Sequence, residues 1–282
     1  MKYKNIVSAI LISVLPFYSV NAALAQTNGV PSPFDGRPIG GGQPSFNLGF
    51  GDDNRVAMRS SAYPWSAIGQ VQIDGGGHCT GTLIGQDLVI TNAHCIWSNG
   101  KLKATFFAPN YKNGQSPERV RAIYYWWGTS NPNQARGADW AIIRLERKIG
   151  SRYGYFGWQS LNNQSLKNKK VIYAGYSTFR DEKVKEFIGG QTAQVHIGCT
   201  VRDVYSDVIH TDCDNGRGGS GGPIFVWQNN QPILVGINAA EYRQGGEESY
   251  FQKNYTPGEG NVGVPVRTFA KTIQSVKKSL GQ

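Results

Sequence analysis

Cys79-Thr80-Gly81-Thr82-Leu83-Ile84-Gly85-Gln86-Asp87-Leu88-Val89-Ile90-Thr91-Asn92-Ala93-His94-Cys95 is the stretch that decides the fold. Thr82-Leu83-Ile84 and Leu88-Val89-Ile90-Thr91 are short aliphatic and β-branched runs on either side of the turn triplet Gly85-Gln86-Asp87, so the segment reads as a β-hairpin. Its second strand runs into His94, and a cysteine stands at each end. Before it, alternation at Ala67, Gly69, Val71 and Ile73 predicts another strand. After it, Lys103 to Phe107, Val120 to Trp127 and Trp140 to Leu145 predict three more. The same rhythm of short strands and turns continues through Lys170 to Tyr176, Gln191 to Ile197, Val208 to Thr211, Pro223 to Trp227 and Ile233 to Ile237. Gln228-Asn229-Asn230-Gln231 suits the turn between the last two. Only the end differs: Phe269, Ile273, Val276 and Leu280 fall on one face of an amphipathic helix. The expectation is an all-β fold with one C-terminal helix and no internal sequence repeat.

Two further segments stand with His94. Gly137-Ala138-Asp139-Trp140-Ala141 sets an acid among small residues at the head of an apolar strand, where it can be buried. Gly216-Arg217-Gly218-Gly219-Ser220-Gly221-Gly222-Pro223 sets a serine in a loop with five glycines among seven residues. A serine hydroxyl attacks a carbonyl at neutral pH only with an imidazole in hydrogen-bond reach, and that imidazole needs a third group to fix its tautomer. The order base, carboxylate, nucleophile therefore points to His94, Asp139 and Ser220 as a catalytic set. Asp139 is preferred to Asp181, Asp203 and Asp207 for its setting. His78, His196 and His210 lie outside such a frame and read as structural or exposed. A glycine-rich loop lets the backbone turn sharply enough to aim two N–H groups at one point.

These segments resemble the chymotrypsin-like serine peptidases, and within them the bacterial branch that includes the glutamyl endopeptidases. Gly51-Asp52-Asp53-Asn54-Arg55, followed by Tyr63-Pro64-Trp65, is similar to the start of the mature chain in that branch. The resemblance covers nearly all of the chain beyond its first fifty residues. It implies two six-stranded antiparallel β-barrels with the triad in the cleft between them and an oxyanion hole from the N–H groups of Gly218 and Ser220. It also implies no cofactor, protein or peptide substrates, and a monomer. One departure is informative. The residue before Ser220 is Gly219 and not the aspartate that receives a new N-terminus in pancreatic-type enzymes, so that activation switch is absent.

Four cysteines allow three pairings. The pairs Cys79 with Cys95 and Cys199 with Cys213 fit the family pattern, and each closes a short loop beside a catalytic segment. A zinc site is the competing reading, but neither pair has Cys-x-x-Cys spacing, so no metal is expected. No dense set of carboxylates supports a calcium site either. Residues 1–25 read as a secretory signal, with Lys2 and Lys4 before an apolar run and Ala23-Leu24-Ala25 before Gln26. The run is too short and too interrupted to span a bilayer, so secretion is expected, with a periplasm as the alternative. Residues 26–51, rich in Pro and Gly, read as a propeptide or flexible lead outside the core, with maturation near 48–51. Residues 52–282 form the peptidase domain. The net charge of +10 biases encounters toward acidic polymers or substrates, but without basic runs longer than a pair it does not make a nucleic-acid stripe. Tyr124-Tyr125-Trp126-Trp127 reads as barrel and rim filling before it reads as a stacking platform.

Specificity rests on three residues. Asp214 lies six residues before Ser220, the position that floors the primary pocket in trypsin-like members. There it would select Lys or Arg, unless it only hydrogen-bonds loop backbone as Asp212 would. Asn238 stands where glutamyl endopeptidases carry a pocket histidine, and Glu241 falls at the expected pocket rim, where it would repel glutamate. Both departures favour basic P1 residues over the glutamyl alternative. A non-catalytic surface-binding module of the same fold is the rival from another class. An esterase would carry Gly-x-Ser-x-Gly with its histidine last, the reverse of the order here.

Overall fold

A computed structural model describes residues 29–33, 54–98, 100–103, 105–181, 186–240 and 260–282. The opening hairpin forms as β2 (His78–Leu83) and β3 (Leu88–Thr91), with Thr82 opposite Ile90 and Leu83 opposite Val89. With β1 (Ile68–Ile73), β4 (Thr105–Pro109), β5 (Val120–Trp127) and β6 (Ala141–Leu145) they close an antiparallel barrel in the order β1-β2-β3-β6-β5-β4. A second ring follows from β7 (Lys170–Gly175), β8 (Gln194–Val204), β9 (Ile209–Thr211), β10 (Pro223–Gln228), β11 (Gln231–Ala240) and β12 (Asn261–Pro265). Its pairings run β7-β8-β9-β12-β11-β10 and return to β7. The strand order is the same in both barrels, although no sequence repeat relates them. Physical closure explains the choice, since a closed ring leaves no unpaired edge.

The turn at 228–231 is the expected tight hairpin, with Asn229 and Asn230 both left-handed (φ 51° and 59°) as such turns require. The helix α1 (Ala270–Ser279) turns Ile273 and Val276 inward. They join a cluster that spans both barrels: Ile84, Leu88, Ile90, Trp140 and Ile142 from the first meet Leu234, Ile237, Val264 and Phe269 from the second. Beyond the helix, Gln282 Nε2 donates to Asp87 Oδ1 (2.5 Å) and its Oε1 accepts from Gln86 N (2.9 Å), pinning the chain to the β2–β3 turn. No helix among the described residues is long and apolar enough to cross a membrane.

Two expectations change. Within the 26–51 lead, residues 29–33 do not stand outside the core. Val30 is 8% exposed in the cluster that holds Trp65, Pro31 O and Ser32 O accept from Trp65 Nε1 (3.0 Å each), and Pro33 O accepts from Arg59 N and Ser60 N (2.8 Å each). The run Tyr124–Trp127 divides: Tyr125 packs on the cluster that holds Trp65 and Trp126 on the one that holds Trp140, while Tyr124 and Trp127 are exposed. Asn261–Pro265, whose apolar pattern is short and ends in proline, was not anticipated as a strand.

Candidate active site

Strand β3 ends at Thr91, and the 3-10 turn Ala93–Cys95 swings the His94 ring toward Asp139. Asp139 follows a second 3-10 turn, Arg136–Ala138, and is 5% exposed. Its carboxylate holds the histidine twice: Oδ1 accepts from His94 N at 3.0 Å, and Oδ2 lies 2.7 Å from His94 Nδ1. An ionised carboxylate only accepts, so the imidazole proton resides on Nδ1 and Nε2 is left as the basic nitrogen. Asn92 Nδ2 donates to Asp139 O at 2.6 Å and locks the two loops together.

The Ser220 loop comes from the second barrel and is pressed against the first. Thr80 N donates to Ser220 O at 2.7 Å, Thr80 Oγ1 to Gly218 O at 2.8 Å, and Thr91 Oγ1 to Thr80 O at 2.8 Å. Gly221 has φ +80°, and a Cβ there would collide with Thr80 O and Thr91 Oγ1, three residues from His94. Gly218 has φ +87°, and a Cβ on it would strike His78 Nε2 and Tyr176 O. Both positions therefore require glycine. Gly219 N is spent on Gly216 O (2.9 Å) and Gly221 N on Asn238 O (2.7 Å), whereas the N–H groups of Gly218 and Ser220 have no acceptor among the described residues. Thr178 N (2.5 Å) and Thr178 Oγ1 (3.0 Å) hold the Arg217 carbonyl, which fixes the peptide plane carrying the Gly218 N–H. Ser220 Oγ has no partner among the described residues; in serine enzymes without substrate this contact is commonly long.

Beneath the loop runs a buried polar network that sequence reading missed. Tyr173 OH contacts Asn215 Oδ1 (3.1 Å) and Gly219 O (3.2 Å). Asn215 Nδ2 donates to Asn238 Oδ1 (3.0 Å), and Asn238 Nδ2 to Gly219 O (3.3 Å). Asn238 is 3% exposed and thus supports the nucleophile loop from below. Asp214 is fully buried. Its Oδ2 accepts from Asn54 N (2.8 Å) and lies 3.2 Å from His196 Nδ1, which also accepts from Asp214 N (3.0 Å). Donating to Oδ2 and accepting from the amide require opposite states of Nδ1, so His196 makes one of these bonds at a time. Asp214 Oδ1 is buried with no hydrogen-bond partner. Glu241 lies outside the described residues.

Cys79 bonds to Cys95 and Cys199 to Cys213, with Cα atoms 6.1 and 5.0 Å apart. The sulfurs of the first pair and a His94 ring nitrogen all fall within 4.8 Å of one another, but sulfurs bonded to each other offer no thiolate for a metal. The disulfide thus walls one side of the base. His78, read from sequence as structural or exposed, directs Nε2 to Tyr176 O (2.9 Å) and lies against Gly218. The side chain of Tyr176 is wholly buried, which pushes its phenol far up and keeps it a neutral donor to Tyr111 O (3.1 Å). The contacts of His78, Thr80, Tyr173 and Asn215 cross tens of residues, and no local pattern marks them.

A family model described as Trypsin matches residues 54–257. Serine protease 23 of Bos taurus is 25% identical over an alignment of 237 residues that covers 72% of this chain and 57% of that protein. The chain thus spans little more than half the length of such curated relatives. Among solved structures, a Glu endopeptidase in complex with MPD aligns with a TM-score of 0.64 at 20% identity, covering 83% of this chain and 99% of that one. A scabies mite inactivated protease paralogue aligns at 0.57 and 19%, covering 76% and 93%. At these identities the structural likeness speaks for the fold alone.

Proposed function

This chain belongs to the trypsin family, and on that premise we propose that it is an exported serine endopeptidase using His94, Asp139 and Ser220. The observation that carries the reading is the double hold of Asp139 on His94, at 3.0 and 2.7 Å, which leaves Nε2 as a base. Ser220 Oγ attacks the scissile carbonyl while His94 Nε2 takes its proton. The oxyanion meets the uncommitted N–H groups of Gly218 and Ser220. His94 then protonates the leaving amine, and a water repeats the sequence to free the acyl group.

At P1 the reading leans to Lys or Arg. Asp214 Oδ1, buried and without a partner, supports it as the acceptor left for a cation. Its other oxygen is engaged by Asn54 and His196, so the selection is expected to be modest, about tenfold over neutral residues. Two disulfides support an oxidising destination, and the apolar stretch within residues 1–25 supports export by a cleaved signal. Maturation is proposed near residues 48–51, leaving a domain from about residue 52.

The test is cleavage-site mapping on a mixed peptide library, with Ser220→Ala as control. Cutting that the control lacks, mainly after Lys and Arg, is expected. Cuts after Glu would transfer the specificity to the glutamyl alternative. Silence of both forms, with no labelling of Ser220 by a fluorophosphonate, would leave a binding module; the fold is also carried by an inactivated protease paralogue.

A further inference from the structure

Outside the catalytic set the strongest built feature is an open depression of about 410 Å³ beside the oxyanion loop. Gln70 and Gln72 of β1, His78 of β2, Arg119, Tyr111 and the Gly189–Gln191 segment line it, and none of its lining residues is acidic. Its position relative to the chemistry follows from His94. The base must hand its proton to the leaving amine, and the ring lies against the Cys79–Cys95 disulfide. His78 immediately precedes Cys79 and touches Gly218, one of the two residues with uncommitted N–H groups. On the proposed catalytic reading, the acyl side falls instead at the Asp214–Arg217 segment and Asn238. The depression thus lies on the Cys79–Cys95 side of His94 and beside Gly218.

Arg119 is held in it by an unusual chain of contacts. Gln70 Nε2 donates to Gly190 O (3.1 Å), Gln72 Nε2 to Gln70 Oε1 (2.9 Å), and Arg119 Nε to Gln72 Oε1 (2.8 Å). The guanidinium carbon sits 3.5 Å from the centroid of the Phe106 ring. Stacking and the Nε bond fix the guanidinium plane, and its two terminal nitrogens have no partner among the described residues. The neighbouring carboxylate, Glu118, is turned away to Arg147 (2.8 Å) and Arg152 (2.9 Å). The far wall is fixed as well: Gly114 N donates to Gln191 O (3.1 Å) and Asn113 N to Thr192 Oγ1 (3.0 Å). A planar fork with its plane already set and its outer donors open matches a carboxylate.

We propose that Arg119 is a specificity-determining residue that binds a substrate carboxylate on the carboxyl side of the scissile bond, as an Asp or Glu side chain in the first residues after the cut. The proposal rests on the serine endopeptidase reading for its site, but the carboxylate recognition is separable from turnover. A substrate terminus presents the same chemistry as an acidic side chain, so the experiment separates the two.

The full chain is compared with Arg119→Ala and Arg119→Glu on peptides sharing one cleaved bond and carrying Glu, Gln or Lys at each of the three following positions, every peptide amidated at its end. At one position kcat/KM for Glu should exceed that for Gln by about tenfold, fall to parity in Arg119→Ala, and give way to a preference for Lys in Arg119→Glu. A preference restored only by free-acid peptides would assign the fork to a chain terminus and overturn the side-chain assignment. Equal ratios in all three proteins would overturn the proposal. If the wild type cuts nothing, the catalytic reading fails, and fluorescence anisotropy of the same labelled peptides decides the carboxylate recognition alone: tighter binding of Glu peptides, lost in Arg119→Ala, upholds it, and equal binding sinks it.

Discussion

Each side chain of the proposed catalytic set owes its state to one or two neighbours. Asp139→Asn keeps the shape but presents an amide in place of the second acceptor, so the imidazole no longer has to carry its proton on Nδ1. A fall of about 10,000-fold in kcat with little change in KM is expected from steady-state rates on one peptide. Tyr173→Phe acts from below the loop: Asn215 and Gly219 lose a buried donor, at a cost of about 1–3 kcal/mol in urea unfolding. His210 illustrates a pH effect away from the site. Its ring meets Tyr205 edge-on at 4.9 Å, Nδ1 is buried without a partner, and burial pushes its pKa below the usual histidine value. The unfolded chain then binds more protons near and below pH 6.5, so stability is full above that pH and declines as pH falls toward the lowered folded value. His210→Gln should flatten this decline when melting temperatures are compared from pH 8 to pH 5. An unchanged slope would assign the decline to other groups.

Elements were legible where their signals are local. The hairpin ending at His94 carries its turn, its strands and its base within seventeen residues, and Asp139 announces itself by the apolar strand it heads. The glycines around Ser220 were equally plain, because left-handed backbone at Gly218 and Gly221 leaves few substitutes. Other features were hidden for a common physical reason: they exist only through contacts between distant segments. Asn238 reads as a pocket residue until Asn215 and Gly219 O are seen to hold it, and Arg119 reads as one surface cation among many until Gln72 and Phe106 fix its plane. The 29–33 segment belongs here too, since a run without periodicity gives no hint that Trp65 Nε1 will bind its carbonyls. Its docking has a consequence for maturation. A cut near 48–51 would sever this segment from the domain without breaking its own contacts, so the released piece should stay bound until diluted. Val30→Asp places a carboxylate in the core cluster and should release the piece at once, read by size-exclusion chromatography followed by mass spectrometry. Equal retention of both pieces would show that residues 29–33 do not hold it.

At the scale of the whole molecule, the proposed catalytic set is divided between the barrels, which on that reading makes their interface part of the chemistry. His94 and Asp139 belong to the first barrel and Ser220 to the second, so the distance from base to nucleophile depends on how the barrels seat against each other. That seating rests on two clusters, one joining Ile90, Trp140 and Ile142 to Ile237, Phe269 and Ile273 and one joining Ile68, Val71 and Leu83 to Ile172, Val195 and Phe225, and on Gln282 at the β2–β3 turn. Another apolar cluster, with Val201, Ile209 and Val235, takes no residue from the first barrel. Ile273 and Ile209 are both fully buried, so replacing either by alanine removes the same atoms and should cost about 2–5 kcal/mol. The two variants should nonetheless differ in rate. Ile209→Ala leaves the seating intact and should lower the melting temperature with kcat nearly unchanged at 15 °C below the transition. Ile273→Ala loosens the joint between base and nucleophile and should also lower kcat, by about tenfold for a displacement of a fraction of an ångström. Titration of active sites with a fluorophosphonate separates a slower enzyme from a smaller folded fraction. If both variants lose stability equally and neither loses rate per titrated site, the cluster around Ile273 serves stability alone, and the seating is held by the cluster joining Leu83 to Phe225 and by the Asp139–His94 and Thr80–Ser220 contacts.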